Sequence, residues 1–178
     1  MASYREWNQA LVSYFTSGVP RGTKLYVSVD DDVLERIGLE FGKDTGVNNG
    51  RDDFLIAVRK KVVIDQQVNL SNLRGCDSDG LPKSIAFLSA TVLAAYQMAE
   101  EEKISELNYF RRLQKILGLS GACRPPGMEF GYGAEEPAME RMESLAKETG
   151  ILTFSSSRSR WSNYLYKLSN FAISSAPR

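Results

Sequence analysis

The longest apolar block in the chain runs from Ile85 to Ala99 and is interrupted by Ser89, Thr91 and Gln97 alone. Apolar residues fall on every face of a helix drawn through it, which predicts a buried central helix over residues 81–103 with other helices packed on several sides. Pro82 suits the first turn, where its missing N–H is no loss, and Glu100, Glu101 and Glu102 mark the return to water.

Upstream, Ser3-Tyr4-Arg5-Glu6 has capping-box spacing. Tyr4, Trp7, Leu11, Tyr14 and Phe15 share one face of the helix that follows, and Gly18 is placed to stop it. Leu25, Val27 and Val29 alternate and predict a short strand. The acids Asp30, Asp31 and Asp32 suit a helix start, with Val33, Leu34 and Ile37 as a short inner face that Gly38 and Gly42 limit. Residues 42–50 read as a loop. Asp52 and Asp53 then open a helix whose inner residues are Phe54, Leu55, Val58 and Val62, before periodicity fades from Asp65 to Gly80 into an irregular connection.

Downstream of the central helix, Ser105 caps a helix with Leu107, Phe110, Leu113, Ile116 and Leu117 as its stripe. A long loop over 118–133 contains Pro125-Pro126-Gly127 and Phe130-Gly131-Tyr132-Gly133. Glu135-Glu136-Pro137 starts another helix, which Gly150 ends, and Ile151-Leu152-Thr153-Phe154 forms a second strand that pairs with Leu25 to Val29. After a polar, basic linker at 155–160, a last helix carries Trp161, Tyr164, Leu165, Leu168 and Ala172. The fold class is therefore mainly α: a single helical domain over residues 1–178, about seven helices around 81–103, with a small two-stranded β element resting on them.

Composition narrows the functional classes. At 43% hydrophobic, the 178 residues suffice for one well-buried core. Cys76 and Cys123 are too few for a disulfide framework and read as reduced thiols, with a single Cys76–Cys123 bridge as the alternative. The N-terminus lacks the pattern of a signal peptide, and the central block is shorter than the ~20 apolar residues a bilayer needs, so a cytoplasmic protein with no membrane association is expected. Lys plus Arg equals Asp plus Glu at 22 each, so binding to nucleic acid has to come from a local patch. Histidine is absent, which removes Ser–His and Cys–His nucleophilic catalysis and His-ligated zinc.

Each remaining constellation has a plain structural reading beside a chemical one. Asp30-Asp31-Asp32 resembles the carboxylates of a magnesium site, yet three successive residues at a helix start do not converge on one point, and capping explains them. Asp77-Ser78-Asp79-Gly80 opens like a calcium loop, but Leu81-Pro82-Lys83 stands where further ligands belong. The glycines of 127–133 match no phosphate loop. Basic residues gather at Arg59-Lys60-Lys61, at Arg111, Arg112 and Lys115, and at Arg158 and Arg160 beside Trp161. The last five of these cations are the candidate nucleic-acid contacts, and Tyr132 and Trp161 the candidate partner contacts. No catalytic, cofactor-binding or metal-ligating residue is assigned, and no cofactor is expected.

Four stretches have a family likeness: Trp7 with Tyr14-Phe15; Leu25-Tyr26-Val27-Ser28-Val29-Asp30; Asp53-Phe54-Leu55-Ile56-Ala57-Val58-Arg59; and Tyr109-Phe110-Arg111-Arg112-Leu113 with Leu117-Gly118-Leu119. Together they resemble the N-terminal regions of large, poorly characterised bacterial proteins, some of which sit in phage-defence gene neighbourhoods. The resemblance implies the front module of a longer protein whose partners are proteins, either other domains or subunits of a larger assembly. It carries over no catalytic residue. The functional expectation is a non-catalytic protein-interaction module of a bacterial defence protein, with a nucleic-acid-binding module as the alternative.

Overall fold

The computed structural model of the chain describes residues 1–19, 24–45, 49–99, 105–121, 124–128, 151–152 and 171–174. Among them are five α-helices, α1 (Tyr4–Thr16), α2 (Asp31–Thr45), α3 (Gly50–Val62), α4 (Ile85–Ala99) and α5 (Glu106–Leu117). Five short strands accompany them: β1 (Lys24–Val27), β2 (Val63–Ile64), β3 (Gln67–Val68), β4 (Ile151–Leu152) and β5 (Phe171–Ser174). The protein is mainly helical with small antiparallel sheets, as the hydrophobic pattern predicts. The expected helix over 135–150 and most of the last one lie outside the described residues.

α4 is the centre of the core. Every residue from Ile85 to Ala95 is buried, and α1, α3 and α5 all pack against it. Within it the Thr91 hydroxyl donates to the Leu88 carbonyl at 2.7 Å, and the Tyr109 hydroxyl from α5 reaches the Thr91 carbonyl at 3.5 Å. Trp7 and Phe54 meet edge to face at 5.3 Å in the same core, joining α1 to α3.

The helix begins later than expected. Leu81 to Ser84 form a turn in which Pro82 bridges to Cys76, so Pro82 does not sit in the first turn of α4. The free N–H groups at this helix start are taken up by α1 instead. Asn8 Oδ1 accepts from the Ala86 N–H at 2.9 Å while Asn8 Nδ2 donates to the Pro82 carbonyl at 2.7 Å. The Tyr4 hydroxyl accepts from the Phe87 N–H at 3.2 Å and donates to the Lys83 carbonyl at 2.8 Å. Burial pushes the Tyr4 phenol far above its ordinary range, against the opposing pull of the Phe87 N–H. α1 itself carries the expected capping box, with Ser3 Oγ accepting from the Glu6 N–H and the Glu6 carboxylate accepting from the Ser3 N–H.

Asp30 caps α2, its Oδ1 accepting from the Val33 N–H at 2.8 Å, so the acids there do serve the helix start. α2 runs on through Gly38 and Gly42 to Thr45, however. The reason is packing: Gly50 opens α3 directly against α2, and a Cβ there would come within 3.0 Å of the Gly38 Cα and collide with the Leu34 carbonyl oxygen. Small residues at the crossing let the two backbones approach closely. Glu35 of α2 completes the junction, its carboxylate accepting from the Gly50 and Arg51 N–H groups at 2.9 and 3.2 Å, where the α3 dipole favours negative charge. Asn49, not Asp52 or Asp53, is the N-cap of α3. Asp53 is buried on the inner face, where it accepts from Trp7 Nε1 at 2.8 Å and from the Ala2 N–H at 2.9 Å.

The stretch after α3 is more ordered than its composition suggests. β2 and β3 form a hairpin joined by Asp65 and Gln66, both at positive φ (50° and 60°), the backbone that a two-residue turn demands. The Val68 N–H of β3 then donates to the Pro126 carbonyl at 2.7 Å. Gly127, at φ 84°, lies so close to Val68 that a Cβ would strike its carbonyl oxygen. In the second sheet β5 lies between β1 and β4, antiparallel to both, with Leu25 opposite Ile173 and Ile151 opposite Ile173 on the other edge. The expected direct pairing of 25–29 with 151–154 is thus replaced, and Phe171 and Ala172 belong to a strand rather than to a terminal helix. A strand flanked on both edges has its backbone donors and acceptors matched on both sides, which outweighs the local helical spacing.

Candidate functional site

α3 and α5 border a groove of about 600 Å³. Spacing along each helix brings its lining together: Arg51, Asp52, Leu55, Ile56 and Arg59 recur on one face of α3, and Arg112, Lys115 and Ile116 at i, i+3 and i+4 on α5. Asp31 from the start of α2 and Gln97 from α4 complete it. Leu55 and Ile116 are nearly fully buried and Ile56 is half-buried, which gives the groove an apolar wall beneath charged rims.

The charged groups fall into two ends. At the start of α3, Arg51 Nε meets Asp31 Oδ1 at 2.8 Å and its Nη1 meets Asp52 Oδ1 at 3.1 Å. Partial burial works against the Arg51 charge, but the two carboxylates outweigh it and hold the guanidinium above its ordinary pKa. At the other end, Arg59 Nε donates to the Ile116 carbonyl at 2.6 Å and its Nη2 to the Lys115 carbonyl at 3.2 Å. This places a fixed cation on the negative end of the α5 dipole. Gly118, left-handed at φ 68°, closes α5 with its own N–H on the Lys115 carbonyl, and the Leu119 N–H bonds the Gln114 carbonyl. Exposed Lys115 and half-buried Arg112 also line the groove. Arg59, Arg112 and Lys115 thus bring three positive charges to the lining of the groove, while Arg51 is closed in an ion-pair cluster with Asp31 and Asp52.

Of the candidate nucleic-acid contacts, Arg112 and Lys115 are brought together here. Arg111 is exposed on α5 but does not line the groove, and Arg158 and Arg160 lie outside the described residues, as do Tyr132 and Trp161. Arg51 and Arg59 join the site without having been singled out for it. Arg59 stood in a basic run whose helical face was legible, but its meeting with α5 depends on two segments 57 residues apart.

Elsewhere, Arg5 reaches Asp79 at 2.7 Å and Asp77 at 3.8 Å, and Gln9 Nε2 donates to Asp79 at 2.9 Å, so the 77–80 turn is tied to α1. The hydrogen bond from Arg5 holds the Asp79 carboxyl below its ordinary pKa. Cys76 is an exposed free thiol, and Cys123 is outside the described residues. Among the described residues no group of three or more Cys, Asp or Glu is placed to hold a metal ion, and no helix is long and apolar enough to cross a membrane. Comparison with protein-family models, with curated proteins and with solved structures found no match to this chain.

Proposed function

We propose that the chain is a non-catalytic binding module, and that the groove between α3 and α5 takes a phosphate-bearing polymer, a nucleic acid. The observation that carries this reading is that Arg59 from α3 and Arg112 and Lys115 from α5 line a single groove. In a chain of zero net charge such a local patch is what attracts phosphate. Its carboxylates, Asp31 and Asp52, are engaged with Arg51, which favours binding over acid–base work. The free thiol of Cys76 suits a cytoplasmic setting. In the phage-defence context that the sequence resemblance implies, the module would sense nucleic acid for the rest of a longer protein.

Fluorescence polarisation with labelled DNA and RNA across a salt titration tests the reading. Affinity is expected to fall with salt on a log–log slope of about −1.4 to −2.7, matching two or three neutralised phosphates, and to be abolished by Arg112→Glu/Lys115→Glu. Absence of binding at low salt overturns it.

A protein partner is the second reading, supported by α2, where Leu39 is 67% and Phe41 41% exposed. Sedimentation velocity checks its simplest form: concentration-dependent association lost in Leu39→Asp or in Phe41→Asp supports it, and a monomer at every concentration removes self-association through these side chains.

A further inference from the structure

We infer that the groove accepts one unpaired nucleotide of a single strand and discriminates against duplex; this rests on the nucleic-acid reading above. Three features of the site point the same way. The first is shape. A concavity of about 600 Å³ is the size of a site for one small organic molecule, whereas the paired bases of a duplex present no element narrow enough to enter it.

The second is the apolar wall. Ile56, the one half-buried residue of that wall, contributes nothing to holding a phosphate, but its apolar surface in a groove also lined by the planar guanidinium of Arg112 suits the face of an unstacked base. The third is the polarity of the lining. Arg51 and Arg59 stand eight residues apart on α3, so the carboxylate-bearing end and the end held by Arg59 are separated by about 12 Å along the helix. Asp31 and Asp52 repel phosphate from the first end, and their oxygens can accept hydrogen bonds from an exocyclic amino group there. Arg59 and Lys115 attract phosphate to the second. Gln97, with both a donor and an acceptor, is the uncharged polar group able to meet a base edge. The nucleotide therefore enters with its phosphate toward the C-terminus of α5 and its base toward the start of α3.

The experiment is polarisation with a labelled single strand and with the same sequence closed as a hairpin duplex, using the full chain at one salt concentration, with adenosine monophosphate and inorganic phosphate as competitors. The single strand is expected to bind about tenfold tighter than the duplex, the size of one stacked base, and to be displaced by the mononucleotide but not by phosphate at equal ionic strength. Ile56→Arg, which fills the wall while adding a cation, is expected to erase that preference without weakening the duplex. Equal affinity for strand and duplex in the unaltered protein overturns this inference and leaves the proposed function standing. Binding of neither overturns both.

Discussion

At the start of α1 the orphaned N–H groups are satisfied within three residues of sequence, by Ser3 and Glu6. At the start of α4 they are satisfied from 78 and 83 residues away, by Asn8 and Tyr4. The geometry is alike, since in each case a side-chain oxygen accepts from a backbone N–H in the first turn. The difference lies in what the bonds depend on. The α1 cap is exposed, competes with water, and can form in an isolated segment; the α4 cap is largely buried and exists only when α1 is docked on the core. Glu35 on the start of α3 and Arg59 on the end of α5 repeat the second arrangement. Each helix terminus that is capped from afar thereby reports on the packing of two helices, not on its own sequence.

The comparison can be broken at its stronger side first. Asn8→Ala leaves the Ala86 N–H and the Pro82 carbonyl without their partner in a buried site, and is expected to cost about 3 kcal/mol in urea unfolding monitored by circular dichroism. A cost below that of an exposed cap would mean that water replaces Asn8 and that the tertiary cap adds nothing special. Ser3→Ala, at the local cap, is expected to cost about 1 kcal/mol in the same measurement.

The smallest effect sharpens the contrast by its pH dependence. Glu6 accepts from the Ser3 backbone N–H and from its side chain, which holds its carboxyl below the ordinary glutamate value in the folded protein. A depressed folded pKa means that the group's stabilisation is present at neutral pH and is lost as pH falls through that lowered value. The difference in stability between the native chain and Glu6→Gln should therefore shrink on acidification. The Asn8→Ala difference should stay flat over the same range, because neither Asn8 nor its backbone partners titrate. A parallel decline of both would show that acid loosens the docking of α1 as well as its cap.

What the sequence made legible follows the same division. The capping box at Ser3, the Asp30 and Ser105 caps and the all-round apolarity of 85–99 are local or periodic signals, and each corresponds to an element of the structure. Leu107 was expected in the α5 stripe and is 49% exposed, because it lies near the helix start, beyond the reach of the core. The continuation of α2 through Gly38 and Gly42 was hidden, since a glycine that permits close helix crossing carries the same letter as one that ends a helix. Asp53 looked like one more N-terminal acid, and nothing near it in sequence announced the indole of Trp7. The groove was half visible: Arg112 and Lys115 could be marked as basic, but their neighbours Arg51 and Arg59 come from another helix.

The bond between the Val68 N–H and the Pro126 carbonyl has a kinetic meaning as well as a structural one. It fastens two points of the chain between which both α4 and α5 lie, so it works as a clasp on a closed purse. The ends of so long a segment meet by chance only rarely, and a single peptide bond's partner cannot hold them. The clasp can close only after those helices have assembled, and it must open when they come apart. The Val68 amide hydrogen should thus exchange with solvent at least as readily as the amides inside α4 and α5, so that the protection of one proton sets a lower bound on the stability of both helices together.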